Sequence, residues 1–412
     1  MVQVDVDAPP TGERRAWMVV AFATMCSAFP VFLTGALGVQ LRDDVGLSAT
    51  DIGLAMGASF AVAALLSAPM GRVAELLGPR LGFRAGLTGT AVAMALVAVL
   101  ARSEWQFCLF LGLAGAANAL NQPSANLLLA THVGPERLGF ALATKQSGMP
   151  AAALVGGAAV PAVALTLGWQ WAYAFGAVFA VTAAVLLPGD TPDPDGATPT
   201  ISTLRAERRT ADRPKAAQPD LGLRLLLLYA VVGLLGSTSA GAMVGFITSG
   251  AEESGLSPGI AGLVLSLGSF VGICSRVFQG WQIDHLGILP IQRVVWLFGL
   301  GGLGVLLLAV DTPLTYVLAP LPAFAFGWAW PGLFNLSVIR NNPSAPAAAT
   351  GVSQIGVFAG AALGPAAGGL IIDGAGYRAL WIFGAATLFP GCALATSLRS
   401  HIRAHRVRLD AA

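Results

Sequence analysis

The stretch GLSATDIGL (46–54) returns as GLSPGIAGL (255–263), in each case where the chain enters a new apolar run. The match extends outward on both sides. GRVAELLG (71–78) pairs with GWQIDHLG (280–287), keeping a glycine, an acidic residue and a second glycine in register. Gln146 corresponds to Gln354, and Gly168-Trp169 to Gly376-Tyr377. All of these matches fall at an offset of 208–209 residues. Several matches at one offset mark an internal duplication, so the chain reads as two copies of one structural unit.

Composition says what solvates those units. Of the 412 residues, 55% are hydrophobic and 11% charged, with a mean hydropathy of +0.72. A soluble domain carries roughly a quarter of its residues as charges, so this chain is solvated mainly by lipid. The net charge of +2 is too small to argue for a nucleic-acid partner. Cys26, Cys108, Cys274 and Cys392 stand apart in apolar segments, without metal-ligand or redox spacing, and read as small hydrophobes. His132, His285, His401 and His405 form no cluster. No metal and no cofactor is expected. The start, MVQVDVDAPPTGERRAW, lacks the basic opening and cleavage site of a signal peptide, so the first apolar run is expected to remain as a helix.

A bilayer-crossing helix needs about 20 apolar residues. Twelve such runs are present, near 16–40, 51–70, 81–101, 105–131, 137–166, 169–188, 221–249, 257–279, 291–310, 313–340, 347–373 and 376–398. The expected fold is an all-α membrane protein of twelve transmembrane helices in two pseudo-symmetric six-helix halves. Residues 1–188 form the first half and 221–398 the second. The segment 189–220, rich in Pro, Asp and Arg, reads as a cytoplasmic linker, and 399–412 as a basic cytoplasmic tail. With both termini inside, 18 of the 23 Lys and Arg fall on the cytoplasmic side; Arg42, Arg102 and Arg378 fall outside, and Lys145 and Arg276 lie within helices. That asymmetry fixes a multi-pass orientation in the cytoplasmic membrane with both termini cytoplasmic.

Here the residues resemble a known family. Gly71, Glu75, Gly78 and Arg80 are similar to the signature loop G-x-x-x-D-R-x-G-R-R of the major facilitator superfamily, with Gly280, Asp284 and Gly287 as its echo in the second half. Glu75 stands where that loop has Asp, and Leu76 where it has a basic residue. The resemblance implies that Glu75 attracts the positive end of a neighbouring helix and latches an outward-open state. GAALGPAAGG (360–369) fits a glycine–proline pattern that many exporters carry in helix five, but here it lies in helix eleven. Its small residues allow close helix approach and Pro365 allows bending.

Two charges lie inside the spans. A charged side chain at mid-membrane costs about 2.5–3.5 kcal/mol on insertion scales. Lys145 lies about 13 Å into helix five and Arg276 roughly 6 Å above the end of helix eight. No Asp or Glu occupies the middle of any span; Asp51, Asp311 and Asp373 are at helix ends. Two cations about 10 Å apart repel by about 1.7 kcal/mol at an effective dielectric near 20. A transported anion is the natural counter-ion. The stretch SRVFQGWQIDHLG (275–287) resembles the helix-eight region of anion-handling members, monocarboxylate, oxalate–formate and nitrate/nitrite transporters, which implies an anion role for Arg276. In the oxalate–formate type a second cation lies in helix eleven, where Ser353 stands here. The alternatives are structural: Arg276 binding helix-end carbonyls or snorkelling, and Lys145 serving packing alone.

Polar company for an anion is available from Asn118, Asn121 and Gln122 in helix four, and from Gln146 and Gln354. Each can equally serve as interhelical glue. Helix ten adds Trp328, Trp330 and Phe334, with Trp330 taken as a cavity wall. Pro123, Pro150 and Pro331 are expected to bend helices four, five and ten. The reading is a secondary transporter moving a small carboxylate-type anion by alternating access, a monomer whose partners are its small-molecule substrate and membrane lipid. Two other readings stay open, a multidrug or sugar exporter of the same fold and a non-transporting membrane sensor or scaffold. No nucleotide loop, nucleophile–base pair or metal cluster suggests an enzyme.

Overall fold

The computed structural model describes residues 11–133, 141, 144–188, 221–286, 288–342 and 346–410. The linker 189–220 and Gly287 lie outside the described residues, and so does the side chain of Asp284. The first six long helices are α1 (Thr11–Ala36), α2 (Ala49–Leu77), α3 (Pro79–Leu100), α4 (Glu104–His132), α5 (Thr144–Leu167) and α6 (Trp169–Leu186). Then come α7 (Leu223–Glu253), α8 (Pro258–Leu286), α9 (Pro290–Leu308), α10 (Pro313–Arg340), α11 (346–375) and α12 (377–410). Ten stretches are long and apolar enough to cross a membrane. One of them, Ala349–Ala404, is two helices that meet at Gly376, where φ is 79° and ψ 176°. With α4, whose Asn118, Asn121, Gln122 and Asn126 dilute its apolar character, twelve membrane-length helices are present among the described residues.

The turns carry the duplication. Gly46 (φ 78°) and Gly255 (φ 103°) open the repeated Gly-Leu-Ser, and Gly168 (φ 101°) and Gly376 (φ 79°) join the last two helices of each half. Positive φ at the same place in both copies is what a shared backbone trace requires, and glycine adopts it without strain. Ser48 then caps α2, its hydroxyl accepting from the Asp51 amide while the Asp51 carboxylate accepts from the Ser48 amide. Packing follows the same repeat. In one half α2 and α3 pack on α4, α3 on α6 and α1 on α5; in the other α8 and α9 pack on α10, α9 on α12 and α7 on α11.

Two expected boundaries differ. The chain breaks at Leu37 and makes a short helix, Gly38–Val45, so α1 does not run to residue 40. The basic segment read as a tail is helical as far as Asp410, in continuation of α12. Cations near a helix C-terminus meet the negative end of the macrodipole, which favours that extension. Pro331 breaks α10, whose backbone is non-helical from Trp328 to Trp330. Pro123 stays inside a continuous α4, and Pro150 sits in the first turns of α5, which widens to a π-helical turn at Val160–Ala164.

Large apolar side chains such as Leu65, Leu76, Val99 and Val185 are exposed on the outside, as lipid-facing positions should be. Small residues fill the contacts between helices. The two halves approach most closely at the end far from the chain termini, the distal face. There a Cβ on Gly53 of α2 would run into the Pro365 carbonyl of α11, one on Gly369 into Ala49, and one on Gly157 of α5 into Gly262 of α8. Ser266 of α8 also donates to the Leu154 carbonyl of α5 at 2.8 Å. Toward the terminal face, Gly71, Gly280 and Gly351 would meet nothing.

Gly53→Ala is therefore expected to destabilise this closed distal face by about 1–3 kcal/mol. Gly71→Ala should be neutral or stabilising by up to about 1 kcal/mol through helix propensity. Thermal denaturation of the two purified variants against wild type checks the contrast.

Candidate functional site

Lys145 is 2% exposed. Its Nζ donates to Asn126 Oδ1 of α4 at 2.7 Å, and reaches the Gln122 carbonyl at 3.5 Å. The Gln122 amide in turn donates to Asn118 Oδ1 at 3.3 Å, which also receives the Ser27 hydroxyl of α1 at 3.4 Å. The sequence-predicted Lys145, Gln122 and Asn118 thus form one polar chain across α5, α4 and α1. Asn126, which completes it, was not singled out from the sequence, although it lies in the same polar stretch of α4.

Asn121 parts company with them. It is buried against α3, where its amide donates to the Thr90 hydroxyl at 3.2 Å, and a Cβ on Gly86 would collide with its oxygen. One helical step from Gln122 turns it to a different neighbour. Gln146, beside Lys145, is exposed.

Arg276 is held by α10. Its Nε and Nη2 donate to the Trp328 carbonyl at 3.2 and 2.6 Å, and the guanidinium lies 5.2 Å from the centre of the Trp328 ring. The backbone leaves the helix from Trp328 to Trp330, and the guanidinium supplies donors to the Trp328 carbonyl at this break. Trp328 also meets Phe32 of α1 edge-on at 5.8 Å, which makes it the tryptophan that touches the other half. Trp330 does not play the cavity-wall part expected of it. It is 1% exposed and enclosed by Phe298 and Phe334 within the second half, because the break rotates it inward.

Gln354 of α11 donates to Asn335 Oδ1 of α10 at 3.0 Å. Lys145 and Asn126 are 19 residues apart, as are Gln354 and Asn335, and the two pairs are related by an offset of 209. The tertiary counterpart of Lys145 is therefore Gln354. The sequence pairing of Gln146 with Gln354, at an offset of 208, is one residue out from the offset of 209 that relates the two hydrogen-bonded pairs.

Neither Lys145 nor Arg276 meets a carboxylate among the described residues. Carboxylates act instead at the distal face. Asp373 of α11 accepts from the free amides of Ala49 and Thr50 at 3.2 and 2.8 Å, capping α2 from the opposite half. Beside it Arg42 donates to the Tyr377 hydroxyl at 2.7 Å and lies 3.7 Å from Glu253. In the signature loop Glu75 is exposed, Arg80 half-buried, and Gly78 takes φ 79° between α2 and α3. Asp284 lies within α8, while Gly287 is outside the described residues. Among the described residues no three His, Cys, Asp or Glu side chains gather as a metal site requires.

Two half-bundles related by duplication, each with one buried cation, are the architecture of a two-half membrane transporter. A model described as the Major Facilitator Superfamily matches residues 20–340, and the chain belongs to that superfamily, whose members are transporters rather than enzymes. It resembles a crystal structure of a bacterial homologue of the human lysosomal transporter Spinster, in an inward-facing and occupied conformation. The TM-score is 0.72 at 14% identity, covering 95% of this chain and 98% of that one. Parts of the chain are also similar to the multidrug resistance protein MdtG. The identity is 33% over 168 residues with the protein of Citrobacter koseri and 30% over 192 residues with that of Dickeya zeae. These matches span 38% and 44% of this chain, and 39% and 44% of the relatives, less than half the length of either.

Removing the amide that meets the buried ammonium should be costly. Asn126→Ala is expected to lose about 1.5–3 kcal/mol, the range for hydrogen bonds to charged groups. A double-mutant cycle with Lys145→Met, read by thermal denaturation, should show that most of this loss vanishes once the charge is gone.

Proposed function

We propose that the protein moves a small organic anion of carboxylate type across the cytoplasmic membrane by alternating access, with the terminal face cytoplasmic. The observation that carries this reading is the pair of intramembrane cations met, among the described residues, by neutral oxygens and, for Arg276, a tryptophan ring. Carbonyl and amide dipoles solvate such charges without cancelling them, and a carboxylate substrate supplies the missing sign. Lys145 is the direct contact: an entering carboxylate displaces Asn126 from the ammonium. Arg276 adds the second positive charge while keeping the broken α10 in place. The distribution of Lys and Arg along the chain supports the orientation.

Alternating access then follows from where the halves touch. With the distal face held by these cross-half contacts, in this reading this conformation is the one open to the cytoplasm. Opening outward breaks the Asp373 cap on α2 and the contacts of Arg42 with Tyr377 and Glu253. Glu75, exposed in this state, is the residue that latches the opposite one.

A second reading is efflux of neutral or lipophilic compounds, favoured by the likeness to MdtG. Thermal stabilisation of the purified protein separates the two. A ligand that binds the folded state alone raises stability by RT ln(1 + [L]/Kd). Among mono- and dicarboxylates, inorganic anions, neutral sugars and lipophilic cations, carboxylates are expected to stabilise wild type, but neither Lys145→Gln nor Arg276→Gln. Equal stabilisation of all three proteins by uncharged or cationic compounds would sink the anion reading and support the second.

The distal latch has its own test. Asp373→Ala is expected to cost about 1 kcal/mol, as other lost helix caps do. A cysteine introduced by Ser249→Cys, in a background with the native cysteines replaced, should become markedly more reactive toward a membrane-impermeant maleimide applied from outside.

A further inference from the structure

The pairing of Lys145 with Gln354 says something about the two ends of the cargo, and it rests on the anion reading above. In both halves an asparagine on one helix offers its Oδ1 to a donor on the next, Asn126 to Lys145 and Asn335 to Gln354. The four residues repeat at one offset and one spacing. The two pairs are thus equivalent positions in the two copies, each with one member on a helix, α5 or α11, whose distal part packs against the opposite half. Their chemistry differs. One donor is a full positive charge with three N–H groups, and the other is a neutral amide with both donors and an acceptor.

We propose that these pairs are the two poles of the substrate site, charged in the first half and neutral in the second. The cargo is a monocarboxylate that carries a hydroxyl or carbonyl group at its other end. A carboxylate only accepts hydrogen bonds. Facing Gln354 and Asn335, a second carboxylate would be desolvated with no cation to meet it and with two amide oxygens nearby. A hydroxyl donates to one amide oxygen and accepts from the other amide. Arg276 belongs to neither pair: its guanidinium is held at the Trp328 carbonyl and ring, so in this reading its charge acts on the cargo as a whole and makes no contact at this pole.

The experiment is thermal stabilisation of the purified full chain by glycolate and lactate against malonate and succinate. Wild type is expected to favour the hydroxy-monocarboxylates by about tenfold or more in apparent Kd, a margin within reach of hydrogen-bonded recognition. Gln354→Lys should reverse that preference toward dicarboxylates. Lys145→Gln should abolish carboxylate stabilisation, and the double variant Lys145→Gln/Gln354→Lys should restore it for the monocarboxylates, since it moves the charge to the equivalent pole. A packing role alone gives no such rescue. If Lys145→Gln abolishes binding while Gln354→Lys leaves the preference unchanged and the double variant stays inactive, the two-pole inference is overturned and the anion reading stands. If Lys145→Gln binds carboxylates as wild type does, the anion reading falls, and this inference with it. Should Gln354→Lys fail to accumulate, Gln354→Glu carries the test with opposite sign. It is expected to lose monocarboxylate stabilisation, and an unchanged response would overturn the proposal.

Discussion

Lipid hydrogen-bonds to nothing, so every backbone amide and carbonyl within it must find a partner in the protein. Continuous helices meet that demand over most of this chain. It fails at a few places, and the polar side chains of interest are found there. At the Trp328 break in α10 the exposed carbonyl is met by Arg276. At the start of α2 the free amides of Ala49 and Thr50 are met by Asp373. Arg276 stabilises a bend inside one half, while Asp373 joins one half to the other. The same backbone constraint therefore accounts for both contacts.

The buried ammonium of Lys145 follows a related rule. A charge in low dielectric needs either an opposite charge or a shell of oriented dipoles. Asn126 and the Gln122 carbonyl provide the second, and the polar chain continues through Asn118 to Ser27 of α1. Its links join α5 to α4 and α4 to α1. A charged group so held gives the half-bundle internal polar cross-links. Under the proposed function structure and transport draw on the same contacts, so packing and binding roles for Lys145 need not exclude each other.

Much of the fold was legible in the residues. Glycines at the same register in both copies fixed the turns, and the apolar runs fixed the spans. The site was legible in part. Lys145 and Arg276 announce themselves as charges where apolar residues are required. Their partners do not: Asn126 shares the polar stretch of α4 with three other amides, and nothing local separates it from Asn121, which faces α3. Asn335 was recoverable in principle, because its 19-residue spacing to Gln354 repeats that of Asn126 to Lys145. Trp328 and Trp330 look equivalent in sequence, yet a break of a few residues sends one to the other half and the other into the core.

The sequence by itself determined the class of molecule: twelve apolar helices, duplicated halves, and two cations without acidic company. These properties depend on composition and on short-range periodicity, which hold whatever the helices pack against. Tertiary structure alone decided which oxygen meets each cation, which amide faces which neighbour, and which end of the halves is closed. Those outcomes depend on the rotation of each helix about its axis and on bends at Pro331 and at the Gly376 turn. A shift of one residue turns a side chain by about 100° and gives it a different partner.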